Sequence, residues 1–267
     1  MICDRCKKNL YSGEGRKSIT WNSSLSINLC NVCLEKEQTI TGCWEIALNK
    51  CKIKELHYMS HKHNIPSILQ SGIVCFNDVL RKDLARVRID NKAVQLRRKA
   101  RKTPAGMNLH DYAPLYFCTR TPMQWVITQK TVKRWNVVKA HDLVFIDVAS
   151  IEALSSSGAY FTDGNAADSL TKFYNSFDDL DKLNWKSIYL NPKQFKLDDE
   201  EWQRQKSAEI LVPGCIPPNM FIKLVCFSSK IKEELENDIR RVGLTLPVVM
   251  DSMMEYYFPN DLNEPMD

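Results

Sequence analysis

The sequence predicts an α+β fold, and three observations predict it. Apolar runs of strand length and amphipathic helical segments follow one another without a regular βα alternation. Neither G-x-G-x-x-G nor G-x-x-x-x-G-K occurs, so the doubly wound dinucleotide folds and the P-loop folds fall away. With 267 residues and 44% hydrophobic side chains, the chain can bury one full core and carry a small appendage.

The appendage comes first, as a module over residues 1–50. Cys3-Asp4-Arg5-Cys6 and Cys30-Asn31-Val32-Cys33 are two CxxC pairs with 23 residues between them, so Cys3, Cys6, Cys30 and Cys33 can offer four thiolates to one tetrahedral Zn(II). The polar stretch between them has little core of its own, and a structural metal would supply the missing folding energy. Cys43 and Cys51 fit that shell less well. A helix over residues 44–50 then leads into the main domain, residues 51–267.

Residues 56–61, Leu56-His57-Tyr58-Met59-Ser60-His61, read as a strand. The helix after it has Asn64 as its cap, Pro66 in its first turn and Gly72 at its left-handed stop. From there to about residue 110 the chain is polar, basic and weakly periodic, and an irregular functional stretch is expected. A strand over 115–118 and a helix over 123–128 follow, the helix opened by Thr121-Pro122. Further strands are expected over 143–148, 209–212 and 222–227, with a turn at Thr162-Asp163-Gly164 and helical stretches near 167–185. Ile231, Leu235 and Ile239 share one face of the run 229–242, which Gly243 stops, so the domain ends in an amphipathic helix.

The formal net charge is only +5, but it is unevenly placed: residues 81–102 carry ten Lys and Arg against two Asp. Such a block can neutralise several phosphates, which points to a nucleic-acid partner contacted through Arg81, Lys82, Arg86, Arg88, Lys92, Arg101 and Lys102. A solvated helix face is the competing explanation. Apolar runs fall far short of the ~18 residues of a membrane span, and the start of the chain lacks the pattern of a signal peptide, so a soluble cytoplasmic protein is expected. Ten cysteines in such a compartment suggest metal binding or burial rather than disulfides.

Chemistry concentrates at Glu209. It leads Glu209-Ile210-Leu211-Val212, a run otherwise suited to a buried strand, and a carboxylate is costly to bury without a role. Tyr58, Ser60, Arg98, Tyr116, Arg120 and Asp163 complete a dispersed polar set. Each has an ordinary structural explanation when taken alone: Arg120 as a surface ion pair, Tyr116 as a core aromatic, Asp163 as a turn former.

Four blocks in fixed order carry a resemblance. They are His57-Tyr58-Met59-Ser60-His61 through Asn64-Ile65 to Ile68-Leu69-Gln70-Ser71-Gly72; Val94-Gln95-Leu96-Arg97-Arg98; LHDYAPLYFCTRTPM over 109–123; and Phe161-Thr162-Asp163-Gly164 followed by Trp185 and Ser207-Ala208-Glu209-Ile210-Leu211-Val212. Over about residues 55–245 the chain resembles the DarT family, toxins that ADP-ribosylate bases in single-stranded DNA. The resemblance implies a split, curved β core with helices outside and NAD bound in the cleft as co-substrate. It places Glu209 on the catalytic glutamate and Arg98 on the active-site arginine beside NAD and the target base. Tyr58, Ser60, Tyr116 and Met123 fall on the NAD side of the cleft, the basic stretch covers NAD and borders the DNA, and 191–206 is the substrate-facing loop. It further implies an antitoxin with ADP-ribosylglycohydrolase activity.

Three departures stand out. Tyr58 occupies a position where many members carry histidine, threonines flank Arg120 where proline and serine are common, and compact members lack the CxxC module. Thymidine is the favoured acceptor, with guanosine next. RNA- or protein-directed ADP-ribosylation, or a nucleic-acid-binding module without activity, are the alternative functions.

Overall fold

In the computed structural model, residues 17–21, 25–29, 44–45, 47–128, 138–190 and 198–259 are described, and Cys3, Cys6, Cys30 and Cys33 lie outside them. β1 (Lys17–Trp21) and β2 (Leu25–Leu29) pair as an antiparallel hairpin. In chain order there follow β3 (Glu55–His61), β4 (Ile73–Val74), β5 (Tyr112–Tyr116), β6 (Leu143–Ala149), β7 (Tyr160–Thr162) and β8 (Phe173–Tyr174). The last four are β9 (Glu209–Pro213), β10 (Cys215–Ile216), β11 (Phe221–Cys226) and β12 (Val248–Met250). One eight-stranded sheet runs in the order β12-β11-β6-β3-β5-β9-β7-β8, and β4 pairs with β10 apart from it.

That sheet is split. Every residue of β3 pairs with β6, but β3 meets β5 only at His57↔Tyr116. Two four-stranded halves therefore diverge from this one pair, and a cleft opens between them. Both faces are covered by apolar side chains. On one side lie Trp44, Leu48, Ile65 and Leu69, together with Ile231, Leu235 and Ile239 of the helix Ser229–Arg241. On the other lie Ile127, Tyr256 and Tyr257. Leu143 to Val148 of β6 are buried on both faces, as expected of a central strand that reads as a continuous apolar run.

The terminal helix and the strands around 56–61, 143–148, 209–212 and 222–227 match expectation within a residue or so at each end. Five local expectations are corrected. The basic stretch is not irregular: it holds the helices Phe76–Arg81 and Lys92–Ala100, the second capped by Asn91, whose Oδ1 accepts from the N–H groups of Ala93 at 2.8 Å and Val94 at 3.3 Å. Its inward side chain is Arg98, so hydrophobic periodicity could not reveal it. The strand expected at 115–118 lies at Tyr112–Tyr116 and includes Pro114. Because β3 has already diverged there, the proline ring sits at the open edge of the split rather than inside a two-sided ladder.

Asn64 does not cap its helix, because its amide is engaged elsewhere. Instead of helices near 167–185 there are β8, a 3₁₀ segment Phe177–Lys182 and the single turn Trp185–Ile188. Ahead of them Asp163, Asn165 and Asp168 each accept a nearby backbone N–H, which favours a loop over a helix. Finally, the expected loop 191–206 ends in a helix, Glu200–Lys206, capped by Asp199 and acidic in its first turn. Among the described residues no helix is long and apolar enough to cross a membrane.

Candidate active site

The cleft at the split has a volume of about 530 Å³, and it brings together Tyr58, Ser60, Arg98, Tyr116, Met123 and Glu209. Each arrives from a different constraint. Tyr116 and Glu209 are cross-strand partners on β5 and β9, so their side chains share a face. Tyr58 and Ser60 come from β3, Met123 from the helix Pro122–Thr128, and Arg98 from the helix Lys92–Ala100.

Glu209 is 2% exposed and Arg98 8% exposed, and they form a buried ion pair. Arg98 Nη1 donates to both carboxylate oxygens, at 3.1 Å to Oε1 and 2.8 Å to Oε2. The main-chain N–H of Ala166 donates to Oε1 at 2.7 Å. Thr162 secures the backbone beneath: its Oγ1 accepts from Glu209 N–H at 3.1 Å and lies 3.0 Å from the Glu209 carbonyl oxygen and 2.7 Å from that of Gly164. The other guanidinium nitrogens of Arg98 have no hydrogen-bond partner among the described residues, so the arginine can hold the carboxylate and still donate toward a ligand.

Both phenols stay neutral at physiological pH. Burial and then the Asp90 charge push Tyr58 up to about 12. Burial and then the Glu209 carboxylate raise Tyr116, with Arg98 opposing. Among the described residues Tyr116 Oη meets only a soft acceptor, Met123 Sδ at 3.9 Å. These hydroxyls can therefore donate to a polar ligand. His57 is not part of the cleft lining, because its Nδ1 bonds the buried Asp147 at 2.7 Å; the neighbouring Tyr58 lines the cleft instead.

The segment 85–91 forms one wall of the cleft. It is fastened by Asn64, whose Nδ2 donates to Val87 O at 2.7 Å and whose Oδ1 accepts from Val87 N–H at 3.0 Å. The same Nδ2 lies 3.2 Å from Ser60 Oγ. Of the basic series, Arg88 alone lines the cleft; it is paired with Asp90 and lies over the Phe76 ring at 5.2 Å. Arg81 and Lys82 pair with Asp78, and Arg86 and Lys92 are exposed. Lys102 is exposed and bridges to Asn108. Arg101 is turned inward, donating to the carbonyls of Asp168 and Thr171.

Asp163 and Arg120 do not line the cleft. Asp163 is bound by Arg204 at 3.0 Å, and Arg120 adopts a left-handed backbone with φ 53°. Sequence reasoning passed over Asn64 as a clamp, and over Thr162, Ala166 and Arg204. Thr162 lay inside a quoted block, but nothing in one sequence says that its hydroxyl meets a strand 47 residues away.

A family model described as "DarT: ssDNA thymidine ADP-ribosyltransferase" matches residues 57–258. A DNA ADP-ribosyl transferase of Escherichia coli O127:H6 is 26% identical over 194 residues, covering 70% of this chain and 87% of that protein. A DNA ADP-ribosyl transferase–DNA ADP-ribosyl glycohydrolase fusion protein of Thermosipho africanus is 25% identical over 218 residues, which cover 78% of this chain. The match spans about half, 51%, of that fusion. Among solved structures, Thermus sp. 2.9 DarT in complex with ADP-ribosylated ssDNA superposes with a TM-score of 0.67 at 23% identity, over 77% of this chain and 97% of that one, a likeness of fold. With the family model covering the split sheet and both members of the buried ion pair, the chain belongs to the DarT family of single-stranded-DNA thymidine ADP-ribosyltransferases.

Proposed function

We propose that the protein is an NAD-dependent ADP-ribosyltransferase that transfers ADP-ribose to a base of single-stranded DNA, thymidine in preference to guanosine. The observation that carries this reading is the buried Arg98–Glu209 pair at the floor of the cleft. Breaking the bond between nicotinamide and ribose releases nicotinamide and develops positive charge at the anomeric carbon. A fixed carboxylate against the ribose hydroxyls stabilises that charge, and this is the role of Glu209. The acceptor nitrogen of thymidine is N3, since N1 already bears deoxyribose; it forms the new bond to the anomeric carbon as nicotinamide leaves, and its proton passes to solvent. Arg98 orients and polarises the base, because a guanidinium is a strong donor and a poor base. Tyr58, Ser60, Tyr116 and Met123 hold NAD.

A single strand suits this site, since a paired base hides N3 and unstacking costs a few kcal/mol. Arg81, Lys82, Arg86, Arg88, Lys92 and Lys102 contact the phosphates, while Arg101 acts from inside by holding the loop it is bonded to. The glycohydrolase half of the Thermosipho relative supports a partner of that activity that reverses the modification. The test is intact-mass analysis of oligonucleotides that carry a single T or a single G, incubated with NAD alongside RNA and protein acceptors. A mass gain of one ADP-ribose on the T oligonucleotide is expected; modification of RNA or protein with none on DNA refutes the assignment.

The proposal extends to the N-terminal module, residues 1–50, ahead of the transferase domain at 51–267. Cys3, Cys6, Cys30 and Cys33 hold one structural Zn(II), a reading supported by their spacing and by the β1–β2 hairpin between the two pairs, whose last residue, Leu29, directly precedes Cys30. Elemental analysis of protein purified without chelator is expected to find about one zinc per chain, and finding none refutes it. Because the transfer needs no metal, Cys→Ser changes should lower stability more than NAD turnover.

A further inference from the structure

Glu209 has two carboxylate oxygens, and the structure treats them differently. Oε1 receives both the Ala166 N–H and Arg98; among the described residues Oε2 receives Arg98 alone. The arginine is a side chain that also has donors free for a ligand, whereas the Ala166 N–H belongs to the main chain and serves Glu209. What holds that amide is a chain of contacts along the cleft wall, through Asn165, Asp168 and Arg204.

Arg204, at the end of the helix Glu200–Lys206, is a hub for this loop. It donates to Asp163 Oδ1 at 3.0 Å and Thr171 Oγ1 at 3.1 Å, and to both oxygens of Glu201 at 2.8 Å. Its own carbonyl accepts from Asn165 N–H at 2.9 Å, one residue before Ala166. Gly164 packs against it so closely that a Cβ would lie 2.5 Å from Nη1 and 2.9 Å from the backbone oxygen. At the far side Arg101 grips the carbonyls of Asp168 and Thr171. A loop without regular structure is thus tied at both ends, and the tie points bracket the single amide that touches the carboxylate.

We infer that the Ala166 N–H, held by the loop that Arg204 clamps, is the positioning group for Glu209: it reserves Oε1 and leaves Oε2 for the substrate. The inference rests on the reading of Glu209 as the catalytic carboxylate. When the free N–H groups of Arg98 engage a base and pull on its Nη1 contact, Glu209 keeps one main-chain hydrogen bond and therefore its side-chain conformation. The carboxylate then meets the ribose already aimed, with no reorganisation at the moment of reaction.

The sharpest test replaces Ala166 by lactic acid through nonsense suppression, which exchanges the N–H for an ester oxygen and changes little else. Gly164→Ala, which forces the loop off Arg204, serves as the second variant. In both, kcat for transfer to a thymidine-containing single strand is expected to fall about ten- to a hundredfold, the worth of one hydrogen bond to a charged group. KM and calorimetric affinity for NAD should stay within about threefold, because the loss appears only where Glu209 meets the transition state. A merely structural role would instead lower the active fraction and NAD affinity together. A kcat within about twofold of wild type for the ester, or a loss confined to KM, overturns the inference. Wild type and Glu209→Gln run in parallel separate the two readings. Active wild type, inactive Glu209→Gln and an unimpaired ester refute the positioning role alone, while no transfer by wild type refutes both.

Discussion

Glu209→Gln is expected to lower transfer of ADP-ribose to a single-stranded oligonucleotide by roughly 10³-fold or more while leaving NAD binding within a few-fold. Glutamine fills the same volume and keeps an oxygen for the Ala166 N–H, so the fold should be retained. What it loses is the negative charge, and that charge matters most when the ribose becomes cationic. Glu209→Ala adds a second effect. Both variants take the anion away from Arg98, but Ala also removes the oxygen that could still accept from Arg98 and from the Ala166 N–H and leaves a void. Its loss of stability should therefore approach the ~3–5 kcal/mol of a broken buried pair, while that of Gln stays smaller. The pair of variants therefore separates chemistry from folding: an inactive Gln variant with a near-native melting transition isolates the charge. Retention of transfer within a few-fold of wild type in Glu209→Gln would remove Glu209 from its proposed role.

One member of this site was legible in the sequence because it violates local expectation, and the others were placed only by the resemblance. Glu209 is a charge at the head of an apolar strand, and the structure buries it as that conflict suggests. The central strands were legible because burial on both faces writes a continuous apolar run, as in β6. The helix that carries Arg98 was not, since its buried position is Arg98, and Val94 and Gln95 beside it give no continuous apolar stripe. The short strands β7 and β8 escaped for another reason: three and two residues long, they exist because β9 offers β7 a neighbour and β7 offers one to β8, which is a tertiary fact. Asn64 shows the limit of capping rules. The same amide could satisfy a helix end or the Val87 backbone, and only the fold decides between two local partners. The loop that holds Ala166 combines local and distant contacts: Asn165 and Asp168 bond N–H groups two residues on, but the contacts to Arg101, Arg204 and Glu209 span 33 to 70 positions and only the fold supplies them.

Arg98 provides the second large effect, and its two substitutions should differ in a telling way. Arg98→Ala is expected to reduce transfer by roughly 10²- to 10³-fold, since it removes both the partner of Glu209 and the donors proposed to orient the base. It also leaves the carboxylate of Glu209 buried with only the Ala166 N–H, so a loss of about 3 kcal/mol or more in stability should accompany it. Arg98→Lys restores the charge. A lysine reaching from the same helix can satisfy one carboxylate oxygen and recover much of that stability, but it lacks the planar fork that holds Glu209 through Nη1 while other N–H groups remain for a ligand. Transfer should therefore stay at least about tenfold below wild type even as the melting temperature returns. Arg97 is the internal control: it borders the same cleft, is exposed, and is one residue away on the same helix, so Arg97→Ala should change kcat by no more than about threefold. Equal losses at Arg97 and Arg98 in matched kinetics, or full recovery of transfer by Arg98→Lys, would mean that the cleft needs only positive charge, and the base would have to be oriented by some other group.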